Sequence, residues 1–182
     1  MTAQKHSDKK EILKARAHLL AQETPAADKS EDLVEVVVFR LADEHYAIES
    51  IRVREVYPIK ELTPLPCTPP FVLGMINVRG QILTVIDLRR FFELPIKGLT
   101  DLNKVIILEH RESELGVLAD AIIGVQSLCR QKIQPAPSIL TGVRGKYLLG
   151  VAEAQLIVID AARIMDDQAI VVREEVAGPS SP

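Results

Sequence analysis

The chain has 182 residues, 47% of them hydrophobic and 26% charged, enough for one substantial core or two small ones. A net charge of -3, a pI near 5.8 and 4% aromatic residues do not show the basic footprint and stacking rings that a general nucleic-acid surface needs, and favour protein partners. No run approaches the roughly 18 apolar residues of a membrane span.

The start, MTAQKHSDKK, leads into no signal-peptide core, so a cytoplasmic protein is expected. Lys9 to Gln22 has good helix formers throughout, with Ile12, Leu13, Leu19 and Leu20 about one side, and predicts an amphipathic helix. Pro25 stops it, and Thr24 to Asp32 reads as a linker. Whether that helix packs on the body, docks a partner or frays stays open at this point.

Val34 to Leu41 is valine-rich and predicts the first strand; Tyr46 to Ile48 begins a second. Over Val53 to Tyr57, period-two alternation puts Val53, Glu55 and Tyr57 on one face and Arg54 and Val56 on the other. Glu55 is either a recognition charge or an ordinary exposed strand residue. Pro58, Pro64, Pro66, Pro69 and Pro70 then force a crossing loop.

Val72 to Val78 and Gln81 to Ile86 are β-branched runs joined through Asn77-Val78-Arg79-Gly80, which predicts a hairpin with Gly80 supplying positive φ. Arg79 is the only formal charge from Phe71 to Ile86, either a solvated turn residue or a cation held out to a partner. Leu88 to Phe92 fits a helical turn. Strands resume at Lys104 to Leu108, Leu115 to Leu118 and Ile122 to Leu128. After Pro135 and Pro137 comes a flexible loop, Ser138 to Lys146. Two more strands, Tyr147 to Ala152 and Leu156 to Ile159, precede a last helical turn at Ala161 to Met165.

The two halves repeat in order. Ile48, Val53 and Val56 fall opposite Val117, Ile122 and Val125; Pro64 and Pro66 opposite Pro135 and Pro137. Phe71-Val72-Leu73-Gly74 falls opposite Tyr147-Leu148-Leu149-Gly150, and Val85-Ile86-Asp87 opposite Val158-Ile159-Asp160. Five short strands per half predict two small barrels sharing an interface. Asp87 and Asp160 hold the same place in each repeat, so capping of the following turn explains them better than paired catalytic carboxylates. The histidines have no metal-site spacing, Cys67 and Cys129 form no CxxC, and no phosphate-binding glycine motif occurs. No enzyme, cofactor or metal is expected.

This order of motifs resembles the CheW family of bacterial chemotaxis coupling proteins. The most specific part runs from Gly74 through Asn77-Val78-Arg79-Gly80 to Val85-Ile86-Asp87-Leu88-Arg89, supported by Leu115 to Val125 and Pro135-Ala136-Pro137, within a resemblance covering Val34 to Asp166. It implies a mainly β fold of two intertwined five-stranded β-barrels with short helices, preceded by an N-terminal helical extension. The boundaries expected are 1–32 for the extension, 33–168 for the CheW-like domain and 169–182 for the tail. The two barrels would be roughly 46–92 plus 33–41, and 104–165, with exchange of strands left open.

The resemblance also implies a non-enzymatic adaptor that joins chemoreceptor tips to the regulatory domain of the histidine kinase CheA, recruited to membrane-associated or cytoplasmic arrays. By it, Val53, Glu55, Gly74 and Arg79 line a receptor groove between the barrels, where Glu55 and Arg79 are expected to pair. Asn77, Gly80, Asp87, Gly150 and Asp160 are its structural turn residues. The extension departs from the family's short forms, which leaves open a specialised pathway with an output other than motility. Two other classes stay open: a nucleic-acid-binding tandem barrel using Arg79, Arg144 and Lys146, and a small-molecule sensor binding in the groove.

Overall fold

A computed structural model describes residues 32–59, 61–96, 98–100, 102–137, 142–168 and 170. The expected helix over 9–22 and the tail beyond 170 lie outside the described residues. Ten strands occupy the body: β1 (Leu33–Leu41), β2 (Glu44–Glu49), β3 (Val53–Pro58), β4 (Val72–Val78), β5 (Gln81–Ile86), β6 (Lys104–His110), β7 (Ser113–Ala119), β8 (Ala121–Cys129), β9 (Leu148–Ala152) and β10 (Leu156–Ile159). Among the described residues, three short helices follow strands or loops: α1 (Leu88–Phe91), α2 (Val143–Lys146) and α3 (Ala161–Asp166). The loop expected at Ser138 to Lys146 thus ends in a helical turn.

The strands form two five-stranded sheets, ordered β8-β1-β2-β10-β9 and β3-β6-β7-β5-β4. These sheets do not follow the two halves of the sequence. Each takes three strands from one half and two from the other, so strands are exchanged between the halves, the possibility left open beside the rough division into 46–92 plus 33–41 and 104–165. The reason is local. Hairpin reversals carry left-handed residues, at Ala42, Arg79 with Gly80, Arg111, and Ala154 with Gln155. The links β2–β3 (a 3-10 turn, Ser50–Arg52) and β7–β8 (Asp120) have none, and the chain runs on into the neighbouring sheet.

The repeat is structural as well as sequential. Strands β3, β6, β7, β5 and β4 of one sheet correspond in turn to β8, β1, β2, β10 and β9 of the other. The parallel pairs agree: Ile86 opposite Val117 in one sheet, Ile159 opposite Ile48 in the other.

Each sheet curls around a private core. Tyr57 from one edge strand and Leu73, Ile76 and Val78 from the other pack in one cluster with Val85, Val105 and Ile107. In the second sheet Leu128 and Ala152, again from opposite edges, meet Val36, Val38, Ala47 and Val158. Edges that converge on one core define a barrel. The opposite faces of both sheets, with Phe39, Tyr46, Ile48, Ile86, Ile106, Leu108 and Ile159, join in a single shared core. Burying both faces explains the near-continuous apolar runs of β1, β6 and β10.

Candidate binding site

The β4–β5 hairpin closes at Arg79 and Gly80, with φ of 53° and 90°, the signature of a type I′ turn. Gly80 meets this requirement freely; Arg79 is held there against its preference. Asn77 secures the turn, its Oδ1 accepting the Gly80 N–H at 2.8 Å. Arg79 then donates from Nη2 to Glu55 Oε2 at 2.9 Å. Its side chain is 75% exposed against 21% for Glu55. The expected pair therefore forms, and it bridges β3 to the tip of the β4–β5 hairpin, the two ends of the sheet order.

The face assignment on β3 needs correction. The register with β6 slips between Val53 and Glu55, so the strand bulges at Arg54. In consequence Val53 packs against the shared core, while Tyr57 packs in the private core of the barrel. The bulged Arg54 donates to Gln81 Oε1 at 3.0 Å and pairs with Glu114. The bulge shifts the phase of the alternation at Arg54, and strict period-two alternation over so short a strand reads straight past it.

A groove of about 440 Å³ does lie where the barrels meet, lined by Val56, Pro58, Leu102, Lys104, Ala121 and Ile122. It runs between β3 and β8, the corresponding edge strands of the two sheets. Neither Val53, Glu55, Gly74 nor Arg79 lines it. Val56 and Pro58 alternate with Glu55 and Tyr57, so the groove and the ion pair use opposite faces of β3. Leu102 is 66% exposed in a connecting segment, and an apolar residue in such a place was the available signal.

Gly74 is closed in by the chain itself. It is buried with φ of 145°, and a Cβ there would meet Thr63 O at 2.2 Å. The close approach belongs to the chain's own proline loop, where Thr63 and Met75 exchange both backbone hydrogen bonds at 2.8 Å. Gly150 repeats this against Gln134, whose carbonyl oxygen lies 2.1 Å from the hypothetical Cβ.

Asp87 and Asp160 cap α1 and α3, accepting from Arg89 N and Arg163 N. Asp87 does more. Fully buried, it receives Arg89 Nε at 2.9 Å and Nη2 at 2.8 Å, while Arg89 Nη1 reaches Asp120 Oδ1 at 2.5 Å. Asp120 also accepts from Ala42 N at 2.7 Å and Asn103 Nδ2 at 3.0 Å. The cluster ties the residues after β5 to the β1–β2 turn of the other sheet. Hydrogen bonds to Asp87 raise the Arg89 pKa and keep it protonated. The second repeat has Ala162 two residues after its capping aspartate, where the first has Arg89, so among the described residues this clasp is single.

The cations proposed for nucleic acid are engaged within the chain. Arg79 pairs with Glu55, Arg144 with Glu44, and Lys146 with Asp167. Arg144 also bonds the Tyr46 hydroxyl and lies 5.8 Å from the Phe92 ring centroid. The fully buried Tyr46 donates to Glu44 Oε2 at 2.7 Å, and burial raises its pKa above the ordinary tyrosine value.

A family model described as the CheW-like domain matches residues 35–169. The chain is 29% identical over 146 residues to the chemotaxis protein CheW of Treponema pallidum, covering 76% of this chain and 86% of the relative. It is 30% identical over 146 residues to that of Klebsiella aerogenes, covering 79% and 88%. The crystal structure of the scaffolding protein TtCheW from Thermoanaerobacter tengcongensis superposes with a TM-score of 0.64 at 32% identity, over 69% of this chain and 88% of that one.

Proposed function

The chain belongs to the CheW-like domain family and is a coupling adaptor of chemotaxis signalling; we propose that it works without catalysis, by joining a chemoreceptor tip to the regulatory domain of a CheA-type kinase. The observation that carries this reading is Arg79, an exposed cation fixed by a left-handed turn and by Glu55. A charge whose position is already set loses little freedom on binding, and it selects orientation more than it adds affinity.

In this reading the β3 strand serves the receptor on two faces. Glu55 and Arg79 set the register of a helical tip. Val56, Leu102 and Ile122 offer it an apolar seat in the inter-barrel groove. Val53 and Gly74 support the site from beneath, through the shared core and through the proline loop. Among the described residues no helix is long and apolar enough to cross a membrane, and the proposed route to the array is through partners in the cytoplasm.

The test is co-sedimentation of the wild type and Arg79→Ala with receptor-bearing membranes and with the kinase regulatory domain, the fold of each checked by circular dichroism. The wild type should join both, and folded Arg79→Ala should lose the receptor while keeping the kinase domain. Wild type that joins neither, where another coupling protein does, overturns the reading.

A further inference from the structure

At the far end of β3 from the groove, a histidine links the entry of that strand to α3. Arg52, the last residue of the Ser50–Arg52 turn, has Nη1 2.9 Å from His110 Nδ1. A guanidinium only donates, so Nδ1 must present its lone pair, and the ring proton sits on Nε2. Nε2 is buried, makes no hydrogen bond among the described residues, and lies 3.5 Å from Asp166 Oδ2 on α3. A second proton has one place to go, the Nδ1 that Arg52 occupies.

We propose that His110 is a protonation-dependent latch: neutral, it holds Arg52 and the start of β3; protonated, it releases Arg52 and pairs with Asp166. Protonation turns an acceptor into a donor facing another donor, and sets two cations within hydrogen-bond distance. Neither can persist, and Arg52 is the partner with freedom to leave. The imidazolium stays, because Nε2–H then faces a carboxylate as a charged donor.

Among the described residues Asp166 is shared with one other cation, Arg111, and the remaining neighbouring charges are engaged elsewhere or exposed. From α3 the ring faces Asp166, while Arg163 turns to Asp160 and the Lys146 carbonyl. From the 3-10 turn it faces Arg52. On its own turn Arg111 binds Asp166 at 3.2 Å and Glu112 is exposed. On β7 Glu114 is engaged by Arg54 of β3. A cavity of about 720 Å³, lined by His110, Arg111, Glu112, Ser113, Asp166 and their neighbours, brings solvent to the site. The proton comes from and returns to that water.

Arg52 stands directly before Val53 and the Arg54 bulge. Its release loosens the entry of the strand whose other end lines the groove. The experiment is nitrogen-15 NMR of the full chain across a pH series that carries the His110 ring from neutral to protonated. The expected result is an Nε2–H tautomer at the alkaline end, with backbone amides of Arg52, Val53 and Arg54 shifting along the same curve as the His110 ring. An Nδ1–H tautomer at the alkaline end, or amides at 52–54 that stay still while the ring titrates, overturns the latch. In Arg52→Ala the Nε2–H preference should weaken and the linked movement of Val53 and Arg54 vanish; persistence of both also overturns it. Should Arg52→Ala fail to fold, the wild-type titration decides alone.

Discussion

Arg79 and Glu55 meet across the closing seam of one barrel, Nη2 to Oε2 at 2.9 Å, although they stand on opposite ends of its sheet order. The exposure of Arg79 separates what the pair does for stability from what it does for binding. Solvent screening keeps such a pair to about 0–1 kcal/mol, so Arg79→Ala should shift the urea midpoint little. Receptor co-sedimentation should fall markedly. If Glu55 acts by holding Arg79, the double variant binds no worse than Arg79→Ala alone; strictly additive losses in the double-mutant cycle would show two independent contacts.

Gly74 and Gly150 face the opposite situation, with no exposure and no room. An added Cβ would lie 2.2 Å from the Thr63 carbonyl oxygen or 2.1 Å from that of Gln134, at a φ of 145° or 156°. Left-side backbone strain alone costs about 1–3 kcal/mol, and the carbonyl must move as well. Gly74→Ala and Gly150→Ala should each destabilise the fold more than Gly80→Ala. A Cβ at Gly80 meets nothing within 4 Å. Urea denaturation of the three variants ranks them; equal midpoints would contradict the close-approach role.

These glycines also show how far the sequence could be read. The repeat, the strand positions and both capping aspartates followed from periodicity and spacing, which local chemistry enforces. Strand exchange between the sheets did not, since a link such as Asp120 between β7 and β8 does not declare which sheet receives the next strand. The bulge at Arg54 was equally silent, and it is what sends Val53 to the shared core. Gly74 stood in the sequence only as a groove residue implied by the family resemblance, and the approach of Thr63 to it, from a loop of the same chain, is a long-range fact. Arg89 was visible only as the last residue of the Val85 to Arg89 motif; nothing in an Asp-x-Arg spacing says that both residues are fully buried.

That burial makes Arg89 costly to alter. It is 2% exposed and joined to Asp87 and Asp120. Removing one member of a buried ionic cluster strands the others, at about 3–5 kcal/mol. Arg89→Leu should therefore lower the unfolding midpoint strongly. Arg163→Leu, at the 59% exposed position three residues after the second capping aspartate, should barely move it. Similar midpoints for the two would show that the clasp between the sheets carries little of the stability.

The last prediction concerns alkaline pH, where the sign follows from Tyr46. Its pKa is raised in the folded chain by burial, then by the hydrogen bond it donates to Glu44, and Tyr147 is raised in the same direction by burial and Asp167. A folded-state pKa above the unfolded one means that the native chain holds its proton when the unfolded chain has released it. The contribution is complete below the unfolded value of about 10 and is lost as pH rises beyond it. Stability should thus decline through the alkaline range. Tyr46→Phe should flatten that decline, since nothing remains there to ionise. At neutral pH the same variant loses the bond to Glu44 and one contact of Arg144, a cost of about 1 kcal/mol. Urea denaturation of wild type and Tyr46→Phe across the alkaline range measures both effects; an unchanged slope would place the titration responsible elsewhere.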